Sequence, residues 1–210
     1  LVCFVTLIIA VIFSVSYVFI FKKVEVQLTD GLRKCVEEST KVIDGDKLEK
    51  VMKNKLKDGA EYREILNSML LFKAKQNVKN LYTYMKKDDK TALFVVDASP
   101  EPAEFFEEYS MEPEMLNAFN GILTVNDEPY TDKWGTFLSA YAPIKNSSGQ
   151  VIGIIGADSD VGVFQTIKNQ FLIVLIIAIG LALIVSLLFV YLFSKKLKND
   201  INSIRNSLQR

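Results

Sequence analysis

One carboxylate, Asp158, stands where an apolar run stops, at the end of Val151–Ala157 in the stretch GTFLSAYAPIKNSSGQVIGIIGADSDV. An acid in that place can orient a guest that donates hydrogen bonds, or it can cap the strand end and accept amide bonds from the SDVG turn. Both readings stay open on sequence. The stretch itself reads as two strands with a polar hairpin between them. Taking NSSG as a four-residue loop sets Lys145 opposite Gln150, Tyr141 opposite Ile154, Ser139 opposite Gly156 and Phe137 opposite Asp158. Strand side chains alternate, so one face collects Leu138, Ala140, Ile144, Val151, Gly153, Ile155 and Ala157, apolar and small enough for a close helix. The other face carries Phe137, Ser139, Tyr141, Ile154, Gly156 and Asp158. Aromatic surface with a few polar groups is the usual composition of a small-molecule pocket.

Other chemistries find little support. The chain has no histidine, which excludes Ser-His-Asp and Cys-His catalysis and histidine-bearing zinc sites within it. Gly149, Gly153 and Gly156 do not match a phosphate-binding loop. Asp158, Asp160 and Gly162 echo a calcium loop but lack its other ligands, so no metal and no cofactor is expected. Paired carboxylates acting as a hydrolase anchored at the membrane are the alternative from another class, although nothing sets two acids at one place.

The elements that must position these residues begin with two uncharged stretches, Leu1–Phe21 and Phe171–Phe193. Each is long enough as a helix to cross a hydrocarbon core of about 30 Å. The first is too long for the apolar part of a signal peptide and ends in Lys22 and Lys23, so it reads as an uncleaved anchor. Because the chain starts at Leu1, cytoplasmic residues are expected before it. After the second span, Lys195, Lys196, Lys198, Arg205 and Arg210 face only Asp200, which places that flank in the cytoplasm and Lys22–Gln170 outside. Ala178, Ala182 and Ser186 in the second span, and Ala10 and Ser14 in the first, recur every four residues and would let helices approach closely.

Between the spans, Val24, Leu28, Leu32, Cys35 and Val42 mark one helical stripe continuous with the first span. Gly45 interrupts it. Asp46 with Glu49, and the DGAE run from Asp58, resemble capping boxes opening a second and a third helix. Leu48, Val51, Met52 and Leu56 line the second, and Tyr62, Ile65, Leu66, Met69 and Leu70 the third. NLYTYM and TALFVVDA, joined by KKDDK, read as a hairpin. Ser99–Gly121, with three prolines, is a crossing segment holding one or two short helices, and its six glutamates read as a solvated face.

Net charge is zero but unevenly spread: Lys22–Lys90 holds 17 basic against 12 acidic residues, and Thr91–Gln170 only 3 against 12. No nucleic-acid footprint is expected in the acidic half. Cys3 lies in the first span and Cys35 outside it, so they do not pair. Cys35 reads as a buried free thiol, with a disulfide to its copy in a dimer as the alternative.

IDGDKLEKV, LYTYM, ALFVVDAS, EPYTDKWGTFLSAYAPI and GQVIGIIGADSDV, in this order between two spans, resemble the extracytoplasmic single Cache sensor domain of bacterial transmembrane receptors. The resemblance covers most of Val42–Val163. It implies an α+β fold in which a long N-terminal helix packs on a curved antiparallel PAS/Cache-like sheet, flanked by two transmembrane helices. The parts would be 1–21 as first span, 22–170 as sensor, 171–193 as second span and 194–210 as the start of a HAMP-like relay helix carrying Leu197, Ile201, Ile204 and Leu208. By matching position, Asp158 would hold a ligand ammonium, Tyr141 and Trp134 would form walls, and Ser139, Tyr130, Lys133, Tyr82 and Asp97 would stand nearby. No arginine occurs between Arg63 and Arg205, and Lys133 does not reproduce the bidentate fork that clamps a ligand carboxylate. An α-amino acid is therefore not the specific expectation, and an amine, a purine-like compound or a neutral metabolite fits equally well.

The function implied is a non-enzymatic sensory input module in the bacterial cell membrane. It would work as a homodimer, bind a small extracellular molecule, and signal through its second span to cytoplasmic proteins by way of a C-terminal region absent from this sequence. A chemotaxis receptor is the first expectation. The input module of a sensor histidine kinase or a nucleotide cyclase is the alternative.

Overall fold

The computed structural model describes residues 2–208. Leu1 and Arg210, counted above in the first span and the basic flank, lie outside the described residues, as do the side chains of Cys3 and Leu208. The chain forms two compact units: one of its two ends, up to Lys23 and from Phe164 onward, and one from Val24 to Val163.

Helix α1 runs unbroken over Val2–Ser39. Its stripe buries Leu32, Cys35 and Val36. Val42, expected on the same stripe, is exposed: the helix stops at Ser39, whose hydroxyl turns back to the Val36 carbonyl (2.8 Å), and Ile43 takes the buried place instead. Burial pushes the Cys35 thiol up to about 11, so it is an unreactive free thiol inside the fold.

Helix α2 (Gly45–Asn54) is capped two residues earlier than its sequence suggests. Asp44 is the cap, accepting from the Lys47 amide at 3.1 Å, a contact type worth about 1 kcal/mol. Asp46 instead accepts from the Ser147 amide and hydroxyl (3.0 and 3.1 Å), and Glu49 from Asn146 (3.2 Å), so the expected capping pair ties the helix to a distant hairpin. Gly45 permits this approach, since a Cβ there would lie 2.1 Å from the Lys145 carbonyl oxygen. Helix α3 (Ala60–Lys73) starts at Gly59 with no side-chain cap, so the Asp58 box does not form. Leu48, Val51, Met52, Ile65 and Met69 face inward, whereas Leu56 and Leu70 lie exposed.

The strands are β1 (Asn80–Lys86), β2 (Thr91–Asp97), β3 (Glu108–Ser110), β4 (Thr124–Val125), β5 (Tyr130–Asp132), β6 (Gly135–Lys145) and β7 (Val151–Asp160). They make one antiparallel sheet ordered β3-β2-β1-β7-β6-β4, with β5 also on β6. The crossing segment contains the expected short helix, α4 (Pro113–Phe119), and an edge strand, β3, that its prolines concealed. Met115 and Ala118 of α4 pack with Tyr82, Tyr84, Phe94, Tyr141 and Ile154 into the core on one face of the sheet. On the opposite face, Leu48 of α2 reaches Gly153, a strand position with no side chain to hold it off.

The β6–β7 register differs from expectation by two residues. Asn146 accepts from the Ser148 and Gln150 amides (3.1 and 3.0 Å), lengthening the loop to Asn146–Gln150, and a bulge follows at Ile144 and Lys145. Lys145 therefore pairs with Val151, Tyr141 with Gly156, Ser139 with Asp158 and Phe137 with Asp160. A slip of two keeps every side chain on its face.

Helix α5 covers Gly162–Leu208. Among the described residues it is the one helix long and apolar enough to cross a membrane, with an 18-residue window inside Gly162–Asn206 reaching a mean hydropathy of 3.3. Its apolar side chains are almost all uncovered by protein, which suits a lipid-facing helix and not a buried one. Within the unit of the two ends, Tyr17 of α1 stacks on Phe171 of α5 (5.7 Å), and its hydroxyl donates to the Lys168 carbonyl (3.5 Å).

Candidate functional site

Two cross-strand rows make the floor of the site. The register aligns Ser139, Asp158 and Asn80 on β6, β7 and β1, and the Asn126 amide bonds the Ser139 carbonyl (2.9 Å) at the end of that row. The neighbouring row is Tyr141, Gly156, Tyr82 and Asp97. Residues directly opposite across an antiparallel pair share a face, so a polar row lies beside an aromatic one.

Asp158 is 3% exposed. Its Oδ1 accepts from the Tyr82 and Ser139 hydroxyls, each at 2.6 Å, and its Oδ2 from the Asn80 amide at 2.9 Å. Burial raises its pKa to about 6, against the pull of those three donors, and repulsion from Asp132 adds to the rise. Among the described residues, no cation pairs with it. Lys79, one residue from Asn80, donates instead to Asp160 at 3.0 Å.

Gly156 explains how the Tyr82 hydroxyl reaches the acid. A Cβ on residue 156 would stand 2.3 Å from Tyr82 Cε2, so the phenol ring lies flat on bare backbone. Tyr84 and Phe94 pack edgewise against that ring at 5.1 and 5.6 Å. Behind it, the buried Tyr141 hydroxyl donates to Glu112 at 3.4 Å, and the Tyr130 hydroxyl sits 3.1 Å from Ser139 Oγ. Glu112, read above as part of a solvated face, turns inward, and burial raises its pKa. The other paired acids of that segment do face solvent, as Lys57–Glu104, Lys87–Glu108 and Lys133–Glu107.

A narrow cavity opens over the floor. Its volume is about 20 Å³, room for about one water. Tyr84, Phe94, Tyr109 and Trp134 wall it, with Trp134 5.8 Å from Phe94 and 6.2 Å from Tyr109. Asp132 sits at the mouth and accepts from the Trp134 and Gly135 amides (2.8 and 3.2 Å) and from the Tyr109 hydroxyl (3.4 Å). Asp97 fastens the start of the crossing segment through the Ser99 and Ala103 amides, both at 2.8 Å, and burial raises its pKa. Phe106, on the same segment, adopts φ 63°, a left-handed conformation that costs a bulky residue energy.

Of the eight residues singled out from sequence, Asp158, Tyr82, Trp134, Tyr130 and Asp97 line this cavity. Ser139 lies beneath as a donor to Asp158, and Tyr141 is sealed behind, toward Glu112. Lys133 points outward, its Nζ 4.1 Å from the Trp134 ring centre and paired to Glu107. Sequence reasoning missed Asn80, Tyr84, Phe94, Tyr109 and Asp132. Asn80 and Tyr84 alternate with Tyr82 along β1 and were readable once β1 is set beside β7; Tyr109 was hidden among prolines. Among the described residues, no group of three His, Cys, Asp or Glu is arranged to hold a metal ion.

No family model matches the chain. Part of it, 134 residues or 60%, is 25% identical to a probable methyl-accepting chemotaxis protein of Bacillus thuringiensis subsp. konkukian, of which it spans only 23%. In structure it is similar to the sensor domain of the Vibrio cholerae histidine kinase DctB, with a TM-score of 0.51 at 9% identity over 70% of this chain and 54% of that one. It has a receptor sensor-domain fold. The Escherichia coli DcuS sensor domain is also similar, at TM-score 0.45 and 12% identity over 70% of this chain and 98% of that one. In this chain the cavity lies over the pair β1–β7, and the strand that carries Asp158 is the one that leads into α5.

Proposed function

We propose that the chain is the sensory input module of a bacterial transmembrane receptor, of the chemotaxis type, and that it binds a small extracellular molecule at Asp158. The observation that carries this reading is a buried carboxylate without a cation, at the floor of an aromatic-walled cavity, on the strand that continues into an apolar helix. A site of this kind selects a guest that brings positive charge or hydrogen-bond donors. The likeness to the DctB sensor supports a second reading, in which the output is a histidine kinase.

In this proposal Leu1–Phe21 and Phe171–Phe193 both cross the membrane, residues 22–170 face outside, and two copies bring their spans together. The small residues Ala10, Ala178 and Ala182, which line one apolar groove, support that packing. Ligand must part the crossing segment from the sheet, because one water fills the cavity as it stands. Signalling then requires that the ligand bind the resulting arrangement more tightly than the other.

Trp134 is the only tryptophan in the chain and stands in the cavity wall, so its emission reports occupancy. In a metabolite screen of the chain in nanodiscs, a true ligand will shift Trp134 emission, raise the melting temperature, and do neither for Asp158→Asn. Ligands that stabilise both proteins equally would place the site elsewhere.

A further inference from the structure

Granting the sensing role proposed above, we infer that the guest is a linear diamine, one ammonium at Asp158 and the second at Asp132, its methylenes lying along Tyr84, Phe94 and Trp134. Four carboxylates line the cavity, Asp97, Glu101, Asp132 and Asp158, and no lysine or arginine does. The nearest cations are committed elsewhere: Lys73 to the Ala98 carbonyl (2.9 Å), Lys79 to Asp160 and Lys133 to Glu107.

The four acids are not equivalent. Asp97 gives one oxygen each to the Ser99 and Ala103 amides, which accounts for it as a loop fastener. Asp132 uses Oδ1 for the Trp134 and Gly135 amides and leaves Oδ2 with one long phenol contact. Glu101, at the exposed edge, enters no ion pair among the described residues. Asn126, which ends the Asp158 row outside the cavity lining, also keeps a buried acceptor, Oδ1, with no hydrogen-bond partner. One positive charge answers Asp158 and leaves the mouth acidic; a second, a few methylenes away, answers Asp132.

The walls suit such a molecule. Aromatic faces attract cations, and the rim already shows it, with Lys133 Nζ over Trp134 and Lys79 Nζ 5.3 Å from the Phe137 ring centre. A guest ending in a carboxylate would instead bring that group against Asp132 and Glu101. Opening must release the exposed ion pairs of the crossing segment and also the buried contacts that Met115 and Ala118 make with the sheet.

The test titrates the chain in nanodiscs with 1,4-diaminobutane and 1-aminobutane, following Trp134 emission and binding heat. The diamine is expected to bind at least about tenfold more tightly than the monoamine. Asp132→Asn, whose amide oxygen can still accept the Trp134 and Gly135 amides, should bring the ratio close to one. Equal binding of the two amines, or an unchanged ratio in that variant, would overturn the dication while leaving a sensor for another guest. Failure of both amines to bind would also overturn it, and the metabolite screen then decides separately whether the cavity senses anything.

Discussion

Asp158→Asn will stabilise the fold at neutral pH and, under the proposed function, abolish the response to ligand. The acid titrates near 6 in the fold against 3.8 when free, so keeping it charged at pH 7 costs about 3 kcal/mol at most. The sign is fixed by proton uptake. Between those two values the folded state holds a proton that the unfolded chain has released, so this contribution to stability is full below about 4 and lost as pH rises through about 6. Asparagine keeps an oxygen for Tyr82 and Ser139, and the Asn80 amide can turn its own oxygen to the new donor. A gain of about 1–3 kcal/mol at pH 7.5 is expected, shrinking toward pH 4. Thermal melts of both proteins from pH 4 to pH 8 check this. Curves that stay parallel would show that Asp158 does not titrate as its burial demands, and retained ligand binding would remove it from the site.

Gly156→Ala will do the opposite, destabilising the fold and emptying the site together. The new methyl would sit 2.3 and 2.8 Å from two atoms of the Tyr82 ring and 3.1 Å from Tyr141. Neither ring can yield easily: Tyr82 is held by Tyr84 and Phe94, and Tyr141 is fully buried. Overpacking of this kind costs about 1–3 kcal/mol, and displacing Tyr82 takes one of three donors from a buried carboxylate, adding about 1–3 kcal/mol. The loss of stability should therefore exceed about 2 kcal/mol by denaturant melt, with ligand affinity falling about a hundredfold or more. Pairing with Tyr82→Phe distinguishes the causes. That variant removes the hydroxyl without crowding the sheet, so it should lower affinity at a smaller cost in stability. If Gly156→Ala melts like the wild type, the ring does not rest on the strand as described.

Much of this arrangement was legible before any coordinates. Alternation along β6 and β7 assigned both faces correctly although the pairing slipped by two residues, because strand periodicity is two and an even slip is silent. The loop length was not legible, since it depends on Asn146 folding its side chain back onto two amides. Cap positions failed for a related reason: Asp46 and Glu49 have the spacing of a local pair, but a hairpin 101 residues away claims the first of them. Inside the site, Asp158, Ser139 and Tyr141 could be named from β7 and β6 alone, whereas Tyr82 and Tyr130 came only through the family resemblance. Tyr84, Phe94 and Asp132 could not be named, because their meeting depends on which strand lies beside which. Glu112 shows the limit of composition: it belongs to the segment's acidic run, yet it is drawn to the Tyr141 hydroxyl.

Between the last strand and the long apolar helix stands one residue, Val161, buried and with its amide bonded to the Thr136 carbonyl at 3.0 Å. Under the proposed function, a movement of the carboxylate strand has a single ordered residue to cross before it reaches the first turn of α5.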